Sequence, residues 1–141
     1  MAQWPTKKTT KGFTFRSGLE RSIAEALLAD GVDFSYEEEK IEYEVPARPA
    51  KYTPDFILPN GIIIEAKGRF LTADRKKHLL IKAQKPELDI RFVFSNSKQK
   101  IGKKSLTTYA KWCEQKGFLY ADKEIPKEWL MEQNNAHAVE R

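Results

Sequence analysis

The chain has 141 residues, which is enough for one domain with a modest core and too few for two. Hydrophobic residues make up 40% of it, which excludes a disordered composition, and no apolar run approaches the roughly 20 residues of a membrane span. A single cysteine, Cys113, excludes an internal disulfide. With no signal-peptide pattern at the polar N-terminus, the chain is predicted to be cytoplasmic.

Positive charge is gathered in blocks. Twenty-five basic and 20 acidic side chains give a net charge of +5, while the acids concentrate in residues 37–44. Separated basic blocks favour a polyanionic partner such as nucleic acid, although solvated surface lysines explain the charge equally well. The candidate DNA-binding residues are Lys7, Lys8, Lys11, Arg16, Arg75, Lys76, Lys77, Lys98, Lys100, Lys103 and Lys104.

The N-terminal part of the chain predicts an arm followed by a helix. Residues 1–16 are polar, basic and without periodicity, and are predicted to be a flexible arm. A helix is predicted from Ser17 to the stop at Gly31, with an apolar face of Leu19, Ile23, Ala26 and Leu27. Ser17 and Glu20 match the capping box, so Glu20 has a structural explanation of its own.

Strands and a connector are predicted next. Alternation over residues 32–45 changes phase near Glu38, which indicates two short strands separated by a turn or bulge. Pro46 and Pro49 stiffen the segment 45–50, and it has no tight-turn signature. We therefore expect it to be an extended connector.

A β-hairpin is predicted over residues 53–67. Two apolar strands, 53–58 and 62–67, flank Asn60 and Gly61, which form a strong turn signal.

The remaining elements complete an α/β domain over residues 17–133. A helix from the N-cap Thr72 to Lys85 precedes a strand at 89–95. A helix at 105–117, with Leu106, Tyr109, Ala110 and Cys113 facing inward, precedes a short helix that Pro126 opens. Residues 134–141 are predicted to be a frayed tail. The order of elements predicts a small mixed β-sheet flanked by helices on both sides.

Three charged residues stand out in the predicted hairpin, whose other residues are almost all apolar. Glu65 and Lys67 point to one face, because residues i and i+2 of a strand share a face, while Ala66 points away. The turn places Asp55 on the opposite strand near Glu65. Two carboxylates with a backbone carbonyl suit Mg²⁺, and a neighbouring lysine can orient a water or stabilise charge on a phosphate.

An ion pair between Asp55 and Lys67 is the simpler alternative. It accounts for two of the charges, but it leaves Glu65 unexplained, because like charges on one face of a sheet repel each other.

The same stretch resembles a known signature. Pro54-Asp55, then nine residues, then Glu65-Ala66-Lys67 is similar to the PD-(D/E)xK motif of restriction-endonuclease-like nucleases. The segments "FRSGLE", "YTPDFILPNG", "EAKG", "DRKKHLL" and "ELDIRFVFS" resemble the phage endonuclease I family, the Holliday-junction resolvases of T7-like phages. The likeness runs in register from about Phe15 to Trp129.

This resemblance implies a restriction-endonuclease-like fold and a set of roles. Asp55 and Glu65 would be metal-binding carboxylates, the carbonyl of Ala66 a further ligand, and Lys67 the catalytic lysine. Glu20 would complete the site and help to hold a second ion. The implied cofactor is Mg²⁺, with Mn²⁺ able to substitute and two ions per site, and no small-molecule cofactor or membrane is expected.

The resemblance also implies an intertwined homodimer with two active sites, one for each strand cut at a branch point. The stiff connector at 45–50 points the same way, because it separates the part that holds Glu20 from the part that holds Asp55, Glu65 and Lys67. We therefore expect a domain-swapped homodimer in which each site takes Glu20 from one subunit and the other three residues from its partner.

The sequence leaves three functions open. The first is an endodeoxyribonuclease that cleaves four-way junctions and other branched DNA by water attack on the scissile phosphate. The second is an architectural DNA-binding protein without catalysis, and the third is a sequence-specific restriction-type enzyme. Among other residues, we expect His78 to be a surface or phosphate-contacting group, and we expect Cys113, Trp112 and Trp129 to be packing groups. Trp4 receives no assignment.

Overall fold

A computed structural model describes residues 15, 17–45 and 48–133. The predicted arm, its basic residues Lys7, Lys8, Lys11 and Arg16, the residue Trp4 and the predicted tail lie outside the described residues. In chain order the elements are α1 (Gly18–Ala29), β1 (Ser35–Tyr36), β2 (Ile41–Val45), β3 (Arg48–Tyr52), β4 (Phe56–Ile57), β5 (Ile63–Lys67), α2 (Thr72–Gln84), β6 (Ile90–Phe94), α3 (Tyr109–Lys116), β7 (Leu119–Asp122) and α4 (Lys127–Met131).

Five strands form the main sheet in the order β1-β4-β5-β6-β7. β1 with β4 and β4 with β5 are antiparallel pairs, whereas β5 with β6 and β6 with β7 are parallel. Parallel neighbours need a long crossover connection, and α2 supplies it between β5 and β6. The predicted mixed sheet flanked by helices is confirmed.

The sheet separates two hydrophobic clusters. One cluster packs Ile64, Ala66 and Val93 of the central strands against α1 and α4. The other packs the intervening strand residues, among them Phe92 and Phe94, against α2 and α3. This alternation follows from the two-residue period of a strand.

Local signals are confirmed at several positions. The Ser17 hydroxyl oxygen accepts a hydrogen bond from the Glu20 backbone N–H at 3.1 Å, so Ser17 caps α1. Gly61 has a φ of +91° at the hairpin turn, a conformation that glycine adopts readily. Cys113, Trp112 and Trp129 are buried in the core, as expected of packing groups.

The segment 45–50 differs from the expectation. β2 and β3 are antiparallel partners, with Ile41 opposite Tyr52 and Val45 opposite Arg48, so the chain reverses direction between them instead of running on as an extended connector. The pair forms a two-stranded sheet of its own. Pro49 lies in β3 opposite Glu44, whereas Pro46 lies outside the described residues.

Three smaller predictions were wrong. α3 begins at Tyr109 behind the N-cap Thr108, so Leu106 is not on a helix face and is 88% exposed. The strand β7 follows Gly117, where no strand was expected, because its mostly exposed residues carry little alternation. Leu71, not Thr72, is the N-cap of α2, and its backbone N–H donates to the Asp74 carboxylate at 3.0 Å.

Within the described residues, the helices are all too short or too polar to cross a lipid bilayer.

Candidate active site

Glu65 lies in the centre of the sheet, on β5, and its side chain is 3% exposed. One carboxylate oxygen, Oε2, accepts hydrogen bonds from the Tyr52 hydroxyl at 2.6 Å and from the Asp55 backbone N–H at 3.1 Å. The other oxygen, Oε1, faces Lys67 Nζ at 3.9 Å. The predicted shared face of Glu65 and Lys67 is therefore confirmed, and Ala66 packs into the cluster on the opposite side.

Asp55 lies directly before β4, on the strand that pairs with β5. Phe56 is opposite Ile64, so the antiparallel register places Asp55 beside Glu65, as the turn predicted. The Asp55 carboxylate accepts a hydrogen bond from the Ala66 backbone N–H at 2.9 Å and is 1% exposed. Glu65 thus accepts from the backbone N–H of Asp55, and Asp55 accepts from the backbone N–H of Ala66, which follows Glu65. These two hydrogen bonds fix the carboxylates close together.

Lys67 ends β5 at the rim of this cluster. Its ammonium group lies 3.4 Å from Asp74 of α2 and 3.9 Å from Glu65. Two acids on different elements therefore hold the lysine, which differs from the alternative of a simple pair with Asp55.

Glu20 reaches the same cluster from α1. Its carboxylate accepts a hydrogen bond from the Tyr36 hydroxyl at 3.2 Å, and oxygens of Glu20, Glu37 and Asp55 lie within 4.8 Å of one another. Glu20 and Asp55 come together here within one chain, and the exchange between subunits that the sequence predicted stays a prediction.

Glu37 is an acid that the sequence did not single out. It follows β1 with a φ of +51°, and its backbone N–H donates to the Asp55 carbonyl oxygen at 3.1 Å. The phase change near Glu38 marked a turn in this acidic run, but it did not show that the turn aims Glu37 at Asp55.

Burial raises the pKa of both central carboxyl groups. For Asp55 the loss of solvation is the main cause, and the charges of Glu65 and Glu20 add to it. Burial is also the main cause that raises the pKa of Glu65, although the charge of Lys67 and the hydrogen bond from Tyr52 lower it. Burial therefore makes the ionised forms of these two carboxyl groups costly.

The donor set fits a hard divalent cation. Asp55 and Glu65 offer closely spaced carboxylate oxygens, and a cation would relieve the electrostatic cost that raises their pKa values. Glu20 extends the oxygen donors to one side.

His78 is not the surface group that the sequence predicted. It lies on the inner face of α2, is fully buried, and has its Nε2 atom 3.8 Å from Glu65 Oε1. Burial lowers its pKa to about 3, with the positive charges of Lys67 and Lys77 contributing. Its position three residues before the buried Ile81 was the available signal, and the surrounding basic residues obscured it.

Tyr52 was also missed. The sequence analysis gave it no role, but its buried hydroxyl donates a hydrogen bond of 2.6 Å to Glu65. Burial is the main cause that raises the Tyr52 pKa, and the Glu65 charge adds to it, so the phenol remains a donor.

The basic residues of α2 have different surroundings. Lys76 is exposed, whereas the Lys77 ammonium lies 5.3 Å from the centre of the Tyr52 ring, close to the acids. Arg75 donates to the Phe70 carbonyl and the Thr72 hydroxyl, which ties it to its own loop.

The basic block of residues 98–104 contributes two lysines to a groove that Arg69 and Phe70 also line. Lys98, Lys100, Lys103 and Lys104 are all exposed. Lys100 and Lys103 line a cavity of about 470 Å³ together with Arg69 and Phe70, which follow Lys67 along the chain. Arg69 was not among the predicted DNA-binding residues.

Comparisons with known proteins identify the family of the chain. The sequence model of the family described as Phage endonuclease I matches residues 1–141. Endonuclease I of Escherichia phage T7 is 52% identical over 132 residues, which cover 94% of this chain and 89% of that protein. Endodeoxyribonuclease 1 of Enterobacteria phage T3 is 54% identical over 119 residues, covering 84% and 78%. The chain therefore belongs to the phage endonuclease I family and is a nuclease.

Proposed function

We propose that the chain is a divalent-metal-dependent endodeoxyribonuclease that resolves four-way junctions and cleaves other branched DNA. The observation that carries the proposal is the pair of buried carboxylates, Asp55 and Glu65, fixed side by side with Lys67 at the end of one strand. The name Endodeoxyribonuclease 1 of the phage T3 relative supports DNA as the substrate.

In this proposal the acids hold Mg²⁺ or Mn²⁺. Asp55, Glu65 and the carbonyl of Ala66 would bind one ion, and Glu20 would help Asp55 to bind a second. A bound cation supplies an activated water and neutralises charge on the scissile phosphate.

Lys67 acts beside these acids. Glu65 and Asp74 keep its ammonium group at the rim, where it orients the attacking water or stabilises negative charge on the phosphate oxygens. Tyr52 and the Asp55 backbone N–H hold Glu65 Oε2, which leaves Oε1 directed toward the reacting groups.

Recognition of DNA is proposed to use shape and phosphate contacts. Exposed lysines on α2 and around the groove lined by Arg69 and Phe70 offer charge on two sides of the acids. Phosphate contacts of this kind position a protein on DNA without reading its sequence.

We further propose that the working form is a homodimer with exchanged elements. The hairpin of β2 and β3 forms a separate sheet, and an isolated two-stranded hairpin is only marginally stable. A cavity of about 730 Å³, lined by Tyr43, Val45, Leu79 and Leu80 among others, lies between the hairpin and α2. In the proposed dimer, a strand of a second chain replaces the partner strand within this hairpin. Glu20 and Asp55 then meet in the same way, but they come from different chains.

The test is cleavage of a labelled four-way junction by the wild type and by Glu65→Gln, with Mg²⁺ and with a chelator. We expect the wild type to cut only with the cation. Glu65→Gln should lose about a thousandfold or more in rate, because several kcal/mol of charge stabilisation depend on the cation. Junction binding should persist or tighten, because a negative charge near the phosphates is removed.

Glu87→Gln, which removes one acidic charge at an exposed position, is the matched control and should cut normally. Near wild-type cutting by Glu65→Gln would refute the site assignment. Cutting at fixed positions in linear duplex would favour a restriction-type enzyme, and binding without any cutting would favour an architectural protein.

A further inference from the structure

His78 occupies a position where a polar side chain is costly. It is 0% exposed, and neither ring nitrogen has a hydrogen-bond partner among the described residues. Its ring packs edge-on against Tyr52 and Phe92, with ring centres 5.4 Å and 5.0 Å apart. A buried donor or acceptor without a partner destabilises a fold, and an aliphatic side chain would fill this place without that cost.

The ring nitrogen Nε2 is directed at one particular atom. It lies 3.8 Å from Glu65 Oε1, which is beyond hydrogen-bond distance. Glu65 Oε2 already accepts two hydrogen bonds, from the Tyr52 hydroxyl and the Asp55 backbone N–H. Oε1 accepts none from the described residues, so it is the oxygen that remains available to a cation on one side and to His78 on the other.

We propose that His78 is a positioning residue for Glu65. It donates a hydrogen bond from Nε2–H to Oε1 when a divalent cation binds the carboxylate, and it thereby fixes the orientation of Glu65 as a ligand. This inference rests on the metal site of the proposed function.

Tyr52 and His78 then act on the two oxygens of one carboxylate. Tyr52 holds Oε2 at 2.6 Å before any cation is present, whereas the gap of 3.8 Å at Oε1 closes only as the carboxylate adjusts to its cation. Hydrogen bonds to the outer side of a ligating carboxylate raise metal affinity, and removing one typically costs tenfold to a hundredfold.

A purely structural role of His78 predicts different effects on cation binding. If His78 only filled space, an aliphatic replacement would leave cation binding unchanged. The two roles are therefore separated by measuring stability without metal and cation affinity on the same variants.

The experiment compares the wild type with His78→Leu, His78→Gln and His78→Asn. The melting temperature is measured with a chelator, Mg²⁺ affinity by calorimetry, and cleavage of a four-way junction at saturating Mg²⁺. His78→Leu should melt at the same or a higher temperature, because it removes two unsatisfied nitrogens, while its Mg²⁺ affinity falls by about tenfold to a hundredfold. Its cleavage rate should fall too.

His78→Gln should recover part of the affinity, because its amide N–H reaches roughly the position of Nε2, whereas the shorter His78→Asn should not. Ile81→Val is the matched control from the same buried face of α2: it should melt at a lower temperature and bind Mg²⁺ normally.

Two results would overturn the inference. The first is normal Mg²⁺ affinity in a folded His78→Leu variant. If His78→Leu does not fold, the second is equal Mg²⁺ affinity in the His78→Gln and His78→Asn variants. Either result leaves the proposed function intact as long as the wild type binds Mg²⁺ and cuts. A wild type that neither binds nor cuts would refute the proposed function itself.

Discussion

Asp55 and Glu65 are carboxylates inside a core, 1% and 3% exposed, and both accept hydrogen bonds from backbone N–H groups. Such residues reduce the stability of the metal-free protein, because ionised groups lose solvation on folding. A divalent cation held by these carboxylates, as proposed, would offset that cost.

The pH dependence of stability follows from the direction of the Asp55 shift. The folded-state pKa lies above the usual 3.8, so the folded protein binds the proton more tightly than the unfolded chain does. The contribution of Asp55 to stability is therefore greatest at low pH and is lost as pH rises between about 4 and 8.

Asp55→Asn removes this titration and keeps an oxygen that accepts from the Ala66 N–H. In a chelator, we expect the variant to exceed the wild type in free energy of unfolding by a few kcal/mol near pH 8, and by little near pH 4. Denaturant unfolding at several pH values measures the difference. Glu87→Gln is the control, and an Asp55→Asn advantage that does not change with pH would contradict the assignment.

The helix α2 connects the acids to the basic surface. Its first turn holds Lys67 through Asp74, its buried face carries His78 and Ile81, and its exposed side carries Lys76. One amphipathic helix thus contributes to both the proposed active site and the proposed DNA-binding surface.

At this scale we predict that Lys76→Ala with Lys77→Ala weakens binding to all branched substrates about equally. Each lost phosphate contact should reduce the slope of log affinity against log salt by roughly 0.9. Junction binding by a cation-free protein over a salt series measures the slope. Lys127→Ala, an exposed lysine on α4, should leave it unchanged. An unaltered slope in the double variant would remove α2 from the DNA interface.

The whole molecule poses the question of how many chains build one site. A single chain brings Glu20 within reach of Asp55, and the same contacts form between two chains if β2 and β3 open from their hairpin. The two arrangements differ in which chain supplies Glu20, and the activity of mixed variants distinguishes them.

We predict that a mixture of Glu20→Ala and Glu65→Ala chains, unfolded and refolded together, regains nicking activity. In an exchanged heterodimer one site collects both defects and the other collects none, although each parent homodimer is inactive. Nicking of a labelled junction is the measurement, with separately refolded parents mixed afterwards as the control. Continued inactivity, with heterodimers shown to be present, would establish that each chain builds its own site.

The sequence alone determined what depends on neighbours along the chain. The period of a strand placed Glu65 and Lys67 on one face, the Asn60-Gly61 turn set the register that brings Asp55 beside them, and Ser17 marked the start of α1. These rules act over a few residues, so the centre of the candidate site was predictable.

The tertiary structure decided what packs against those residues. The helical spacing to Ile81 was a local signal that His78 faces inward, but nothing local showed that it meets Glu65, that the Tyr52 hydroxyl reaches the same carboxylate, or that Glu37 joins Glu20 and Asp55. The pairing of β2 with β3 was likewise undetermined, because prolines stiffen a segment without fixing its partner. A polar side chain becomes a core group or a surface group only when another element covers it, and that depends on contacts between distant parts of the chain.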